Sequence, residues 1–314
     1  MWRFLLKRLG LGLITLVLVS IAVFAVAQLL PGDVGRTILG PYASADAVAR
    51  VDHQLGVDQP IPVRYWNWVT SFVRGDWGQS YLFNTAVRPM ALGRLLNSLI
   101  LAGFAFLIIV PLSIGFGVLA GLHHGKATDR LITISGLSLI ALPEFVSGVV
   151  LVIIFAVVLK WLPASSSVPS WNPADIVHKL LLPAIPLMLV LFGYISRMAR
   201  AGTITALDSN YVRTAILKGL PGRVVIWRHV LPNALLPTLT VVFVQAGYLV
   251  GGLVVIETLF NYPGIGKLVY DSAYGHDLPM LEATVLLIAV IYLIANLTAD
   301  VLYAVLNPRV RLSS

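Results

Sequence analysis

Six apolar runs dominate the sequence; five are long enough to cross a lipid bilayer, and the fourth is shorter, with its start made uncertain by Pro183 and Pro186. A transmembrane helix needs about 20 mostly apolar residues. Charged residues make up only 11% of the chain, against roughly 25% in an average globular domain, so a water-soluble enzyme is excluded. The sequence therefore predicts an all-α polytopic membrane protein with six transmembrane helices. The runs are approximately 9–30, 96–119, 131–159, 180–195, 234–256 and 281–306.

The distribution of basic residues predicts the orientation of the chain. Six spans place both termini on one side, together with the loops 126–130 and 197–228. That side carries 13 basic residues and two acidic ones, whereas the other side carries nine basic and eight acidic residues. Cytoplasmic loops are enriched in Lys and Arg, so both termini are predicted to be cytoplasmic. Orientation thus accounts for the net charge of +8, and no nucleic acid is expected as a partner.

The predicted spans divide the chain into four parts. Residues 1–30 hold the cytoplasmic N-terminus and a first span, which exceeds the ~7–15 apolar residues of a signal peptide and is interpreted as a retained anchor. Residues 31–95 form a small extracytoplasmic subdomain. Residues 96–306 form a five-helix core, and residues 307–314 form a cytoplasmic tail.

The extracytoplasmic part carries clear helix signals. Ser44 can cap a helix that Gly56 ends, and Pro60 precedes a second helix that stops before Gly75. One face of this second helix is apolar at helical spacing and is expected to pack on the rest of the protein. Its residues are Tyr65, Val69, Phe72 and Val73.

The connection 198–233 between the fourth and fifth spans is longer than a hairpin requires, and long ordered loops tend to be functional. Its sequence predicts two short helices. The first begins at Asp208 or Ser209 and ends at Gly219, and the second is closed by Pro232.

The first loop helix is predicted to be amphipathic, because Val212, Ile216 and Leu220 recur at i, i+4 and i+8. Two interpretations remain open on physical grounds alone. The helix either lies on anionic lipid at the membrane surface or enters a groove of a cytosolic partner.

The spacing of this loop resembles the EAA loop of the permeases of binding-protein-dependent ABC importers. Arg213-Thr214 stands where that family usually has Glu-Ala, and His229 replaces an isoleucine; both departures resemble the dipeptide, oligopeptide and nickel branch. The matching residues are Arg213, Thr214, Ala215, Gly219, His229, Leu231 and Pro232.

Further motifs extend the resemblance over nearly the whole chain. Together they are similar to the first of the two permeases of a peptide importer, the dipeptide-permease-B type, in which a long outer segment follows the first span. The motifs lie at 55–60, 75–80, 97–99, 129–130, 142–145, 251–252, 257–264, 300–303 and 307–309.

The resemblance implies the type I ABC importer permease fold in a bacterial inner membrane. It implies four partner chains: a homologous second permease, two cytosolic ATP-binding subunits and an extracytoplasmic solute-binding protein. ATP and Mg²⁺ then bind to the ATPases, so the chain itself is expected to have no cofactor, metal site or catalytic residue. Di- and oligopeptides are the implied substrates, with nickel, glutathione or oligosaccharides as alternatives. An alternative of another class is a self-sufficient secondary transporter or channel.

In such importers the loop helix sits in a groove of an ATPase, which the resemblance implies for this chain as well. The residues assigned to this coupling are Tyr211, Val212, Arg213, Thr214, Ala215, Ile216, Gly219, Leu220, Arg228, His229, Leu231 and Pro232.

Four residues inside the spans are candidates for the translocation pathway. A charge at mid-bilayer costs ~2.5–3.5 kcal/mol on insertion scales, so Glu144 must face protein or water. Glu144 either lines the pathway or bonds to a neighbouring helix, and the sequence favours neither interpretation over the other. Gly247, Gly251 and Gly252 permit close helix approach; they either pack within the subunit or form a gate at the seam between two permeases.

Two further carboxylates are predicted to have structural roles. Glu257, near the outer end of the fifth span, is expected to hold the turn 261–264. Asp300, near the inner end of the sixth span, is expected to pair with Arg8 or Arg309.

Overall fold

The computed structural model of the chain describes residues 2–29, 34–40, 42–54, 56, 58–167 and 172–306. Apart from one isolated bridge between Gln79 and Ala86, the regular structure of these residues is helical. The helices are α1 (Trp2–Leu29), α2 (Val34–Leu39), α3 (Ala45–Gln54), α4 (Ile61–Arg74), α5 (Val87–Leu122), α6 (Ala127–Ala141), α7 (Glu144–Leu151), α8 (Pro173–Leu207), α9 (Asn210–Leu217), α10 (Gly222–Val225), α11 (Leu231–Leu259), α12 (Ile265–Tyr274) and α13 (Leu278–Leu306). Wider π-helical turns extend α7 (Val152–Val158) and join α10 to α11 (Ile226–Val230).

The all-α polytopic prediction is confirmed. Among the described residues, five helical segments are long and apolar enough to cross a membrane, and a sixth span exists if α6 and the unit Glu144–Val158 are counted together. The five are Leu6–Gln28, Val87–Leu122, Pro173–Leu207, Gly222–Gly247 and Leu278–Val301.

The predicted third span is not one helix. Its two halves, Ala127–Ala141 and Glu144–Val158, meet at an angle of 100°. The break falls at Leu142, which has extended backbone angles, and at Pro143. Proline lacks an N–H and disfavours the helical conformation of the residue before it, so the helix ends there.

Other prolines do not end helices as the sequence suggests. α8 contains Pro183 and Pro186 and extends well beyond the predicted run 180–195 at both ends. The helical backbone is also continuous over 222–259, so Pro232 does not close the second loop helix. The π-helical turn just before Pro232 is the kind of adjustment that accommodates a proline within a helix.

The centre of the bundle is α8, which packs against α5, α6 and α11. At Gly117 an added Cβ would overlap the carbonyl oxygen of Ser196 and the side chain of Ala199. Only glycine therefore allows the backbones of α5 and α8 to touch, which is how membrane helices gain close packing. Large aliphatic side chains from α5, α8 and α11 fill the core, including Leu101, Leu180, Leu187, Leu191, Ile195, Leu253 and Ile256.

The bundle has two ends, which we call the loop end, where α9 follows α8, and the cap end, where α4 covers α1. The predicted helices of the cap end are confirmed as α3 and α4, although Leu55 and Val57 lie outside the described residues. Tyr65 and Trp68 of α4 pack on Phe24 of α1, with ring centroids 5.5 and 5.7 Å away. The prediction that Val73 belongs to this face is wrong, because it is 79% exposed.

Candidate functional site

The short helix α9 buries one side against its own subunit. Val212 and Ala215 are nearly fully buried and pack in a cluster with Ala206, Val225 and Val230. This contact fixes the rotation of α9 and therefore decides which of its side chains point away from the protein.

The side of the loop that points away is apolar. Leu217 is 82% exposed, and Ile216 and Trp227 are also mainly exposed. We call this group the apolar loop surface; its members are Tyr211, Ile216, Leu217, Leu220, Val224 and Trp227. Large exposed apolar groups of this kind mark contact sites for a protein or a membrane.

The predicted stripe of Val212, Ile216 and Leu220 is therefore divided between two faces. Viewed down the axis of α9, the buried face is centred between Val212 and Ala215. At 3.6 residues per turn, Ile216 lies roughly 70° around the helix from that centre, so its side chain does not reach the buried cluster. Leu220 lies beyond the end of α9, after Gly219 has turned the chain. Gly219 has a φ of 74°, a left-handed conformation that favours glycine. A Cβ added there would contact no other atom, so the backbone conformation, and not lack of space, favours glycine.

Basic residues surround the apolar loop surface. Arg213 and Arg228 are exposed and His229 is half-buried, and none of the three forms an ion pair with any residue that the structure describes. Leu231 and Pro232 belong to the helix that continues into the bundle, and the Thr214 hydroxyl donates to its own helix at Asn210, 2.9 Å away.

An ion pair that the sequence analysis missed braces the loop end. The Asp129 carboxylate at the start of α6 accepts from Nη2 of Arg200 on α8 at 2.8 Å and from the backbone N–H of Gly125 at 2.9 Å. Nδ1 of His124 lies 3.2 Å from the same carboxylate. Asp129 is one of only two acidic residues on the side of the membrane predicted to be rich in Lys and Arg. Its rarity there could have indicated an ion pair from the sequence alone.

The predicted pathway residues lie on two different helices. Glu144 is the half-buried first residue of α7, directly after the break, where the helix N-terminus favours a negative charge. A Cβ on Gly247 would lie 3.7 Å from Tyr292 and Ala295, so this glycine faces α13 of the same chain. Only the backbone of Gly251 and Gly252 is described, as part of α11.

Glu257 connects three helices at the cap end. Its side chain is fully buried on α11. One oxygen accepts from the backbone N–H groups of Gly266 and Lys267 on α12, at 2.7 and 3.1 Å. The other accepts from the Ser98 hydroxyl on α5, whose oxygen in turn accepts from the N–H of Ile265 at 2.8 Å. The sequence predicts that this carboxylate holds the turn 261–264, but it bonds to the start of α12 instead. Within the turn, the N–H of Tyr262 donates to the backbone carbonyl of Glu257, 2.8 Å away.

Asp300 pairs with one of its two expected partners. Its carboxylate lies 3.3 Å from Nη1 of Arg8, which connects the last helix to the first. Arg309 and the rest of the predicted tail 307–314 lie outside the described residues.

Comparison with known proteins gives a consistent result along the whole chain. A family model for the binding-protein-dependent transport system inner membrane component matches residues 113–312. A second model, for the N-terminal part of the same membrane component, matches residues 1–88. The glutathione transport system permease protein GsiC of Salmonella typhimurium is 37% identical over 312 residues, which is 99% of each chain. The proteins of the same name from Salmonella typhi and Escherichia coli K12 are 36% identical with the same coverage.

Proposed function

Since the chain belongs to the family of binding-protein-dependent transport system inner membrane components, we propose that it forms half of the translocation pathway of a peptide importer and couples to the ATPases through its loop. Membership makes it a multi-pass permease subunit of the inner membrane with the type I permease fold and no catalytic activity of its own. The proposal adds three points: the side of the membrane on which the loop lies, the surface that meets the ATPases and the class of substrate.

The apolar loop surface is the observation that carries the proposal. Leu217 on α9 and Trp227 on the π-helical turn before α11 are exposed. Val212 and Val225 of the same loop pack into the subunit. A short helix with an exposed apolar face fits a hydrophobic groove, and the basic residues around it can meet acidic groups at the groove's edge. The excess of Lys and Arg supports a cytoplasmic location for the loop end, the side on which the proposed ATPases would lie.

The partners of the proposed assembly are a second permease, two ATP-binding subunits and an extracytoplasmic solute-binding protein. Its substrates are di- and oligopeptides, including tripeptides such as glutathione. The relatives are named as glutathione permeases, and glutathione is itself a tripeptide, so both belong to one chemical class.

Reconstitution tests this function directly. The complete importer in proteoliposomes is expected to accumulate radiolabelled dipeptide or glutathione only when ATP reaches the ATPases and the binding protein is present. Accumulation of nickel or an oligosaccharide in place of peptides would contradict the peptide proposal. Uptake by this chain alone would instead identify a self-sufficient transporter.

We further propose that Glu144 lines the translocation pathway and recognises positive charge. Glu144→Gln keeps the shape of the side chain and removes its charge. We expect uptake of a cationic dipeptide to fall about tenfold relative to a neutral one, equivalent to ~1.4 kcal/mol. The measurement is initial uptake in proteoliposomes, with Asp271→Asn, a carboxylate on α12, as the control. Equal effects on both dipeptides would show that Glu144 does not read charge.

A further inference from the structure

A cavity lies at the cap end, between the end of α1, α4, the segment 76–81 and the start of α13. Its volume is about 440 Å³, within the roughly 300–1,000 Å³ typical of small-molecule sites. Its lining includes the aromatic side chains of Trp68, Trp77 and Tyr81. Polar side chains complete the lining, among them His53, Asn67 and Asp76. The cavity therefore has the size and the mixed lining of a site for a polar small molecule.

Glu282 on α13 is the most unusual residue of this cavity. The residue is only 5% exposed, and its carboxylate forms no hydrogen bond or ion pair with the described residues around it. Its oxygens are not fully enclosed by protein, however, and open onto the cavity. A buried carboxylate without a partner is costly. The cost is removed when a ligand in the cavity supplies a positive charge or a hydrogen-bond donor.

A neighbouring acid shows that this part of the chain can satisfy a carboxylate when structure requires it. Asp277, also fully buried, accepts from the Ser80 hydroxyl and from the backbone N–H groups of Tyr81 and Leu82, the last two at 3.2 Å. Glu282 has no such set of donors, although it lies little more than one helical turn further along. The contrast assigns Asp277 to the fold and leaves Glu282 available to a ligand.

The cavity also holds a positive charge. Arg64 on α4 lines it and lies close enough to Glu282 to interact electrostatically, but the two are too far apart to form an ion pair. Burial, with the negative charges of Glu282 and Asp277, raises the pKa of Tyr81 to about 12, so its hydroxyl stays protonated. Aromatic faces such as that of Trp68 attract cations.

We propose that this cavity is a binding site for a small zwitterion with a free ammonium group. The ammonium pairs with Glu282 between the aromatic walls, and the carboxylate of the same molecule pairs with Arg64. A free di- or tripeptide carries both groups. This inference rests on the proposed peptide substrate and deepens it, because it gives the permease a site for peptide on the side opposite the ATPases.

Binding to the assembled permease–ATPase complex in nanodiscs, without the solute-binding protein, tests the proposal. The probes are L-alanyl-L-alanine, its N-acetyl derivative and its C-terminal amide, and the measurement is the dissociation constant from saturation-transfer NMR. We expect the free dipeptide to bind and the N-acetyl form to bind at least tenfold more weakly. Glu282→Gln should weaken the free dipeptide by about tenfold, and Arg64→Gln should remove the preference for the free acid over the amide.

A control variant and a stability measurement complete the test. Asp271→Asn alters a carboxylate outside the cavity and should leave all three dissociation constants unchanged. Glu282→Gln keeps the shape of the side chain and breaks no hydrogen bond to a described residue, so it should not lower the thermal unfolding midpoint of the complex. Unchanged dipeptide affinity in Glu282→Gln would overturn the proposal. A lower midpoint with unchanged affinity would show that Glu282 only stabilises Arg64.

The result is separable from that of the proposed function. The wild-type complex could import peptide in proteoliposomes while dipeptide binding does not depend on Glu282. That outcome overturns the cavity site and leaves the proposed function intact. Failure of peptide import overturns the proposed substrate class, while the dipeptide affinities still decide whether the cavity binds ammonium groups.

Discussion

Replacing Leu217 with aspartate is expected to release the ATPases from the permease while leaving the bundle folded. The side chain is 82% exposed, so the fold loses nothing when it changes. In the proposed groove the variant forfeits the ~1.5–3 kcal/mol of a buried leucine and adds the desolvation of a charge. ATPase subunits that co-purify with the permease, and ATP-dependent uptake, should both fall about 100-fold or more.

The matched control is Val73→Asp, which introduces the same charge at an equally exposed aliphatic side chain, 79% accessible, on α4 of the cap end. This variant should retain its full complement of ATPases. If Leu217→Asp keeps both ATPases and uptake, the apolar loop surface does not meet an ATPase. Contact with lipid would then be the better interpretation of α9.

The second large effect is expected at Glu257. Glu257→Ala removes the acceptor of the buried Gly266 N–H and Ser98 hydroxyl and of the partly buried Lys267 N–H. The Ser98 hydroxyl can still donate to the Arg94 carbonyl, 3.3 Å away, but two N–H groups lose their acceptor. At about 1–3 kcal/mol for each, the loss is roughly 2 kcal/mol or more. We expect little folded protein after extraction, and a strongly lowered thermal midpoint for whatever remains.

Asp271→Asn controls for the loss of a carboxylate in the same region. Asp271 pairs with Lys267 one turn earlier on α12, at 2.8 Å, and partly exposed pairs of this kind contribute about 0–1 kcal/mol. Its thermal midpoint should therefore stay close to that of the wild type. If Glu257→Ala is equally stable, α5, α11 and α12 are held together by their apolar contacts, and the carboxylate is free for another role.

The spans were predictable because lipid imposes a single requirement. Every backbone group must be paired inside the membrane, so a long apolar run has to become a helix. Local signals at the cap end were equally direct: α4 follows Pro60 and ends at Gly75 in the left-handed conformation. These features depend on a few adjacent residues, which the sequence displays.

The effect of each proline was not predictable, because it depends on neighbouring helices. Pro143 breaks its helix by 100°, whereas Pro183 and Pro186 are buried inside α8 without ending it. At Pro232 the helix also continues, directly after a π-helical turn. In each case the residue type is the same, and the packing around it decides the outcome.

The contacts of the candidate sites divide in the same way. The pairing of Asp300 with Arg8 followed from placing both at the same ends of their spans. Glu282 is a carboxylate at the start of the predicted run 281–306, but its site was not predictable, because the cavity is built mainly by α1, α4 and the segment 76–81, more than 200 positions earlier in the chain. The rotation of α9, which exposes Ile216, is set by Val225 and Val230 across the loop. Such distant partners cannot be read from helical spacing.

The unbroken helical path over 222–259 has a mechanical consequence. At ~1.5 Å per residue it extends roughly 55 Å, more than the thickness of the hydrocarbon layer. One end carries Trp227 at the apolar loop surface, and the other carries Glu257, anchored to α5 and α12. Movement of the loop can therefore reach the far end of the bundle through one continuous helical path, and the π-helical turn Ile226–Val230 and Pro237 are the places where that path can bend.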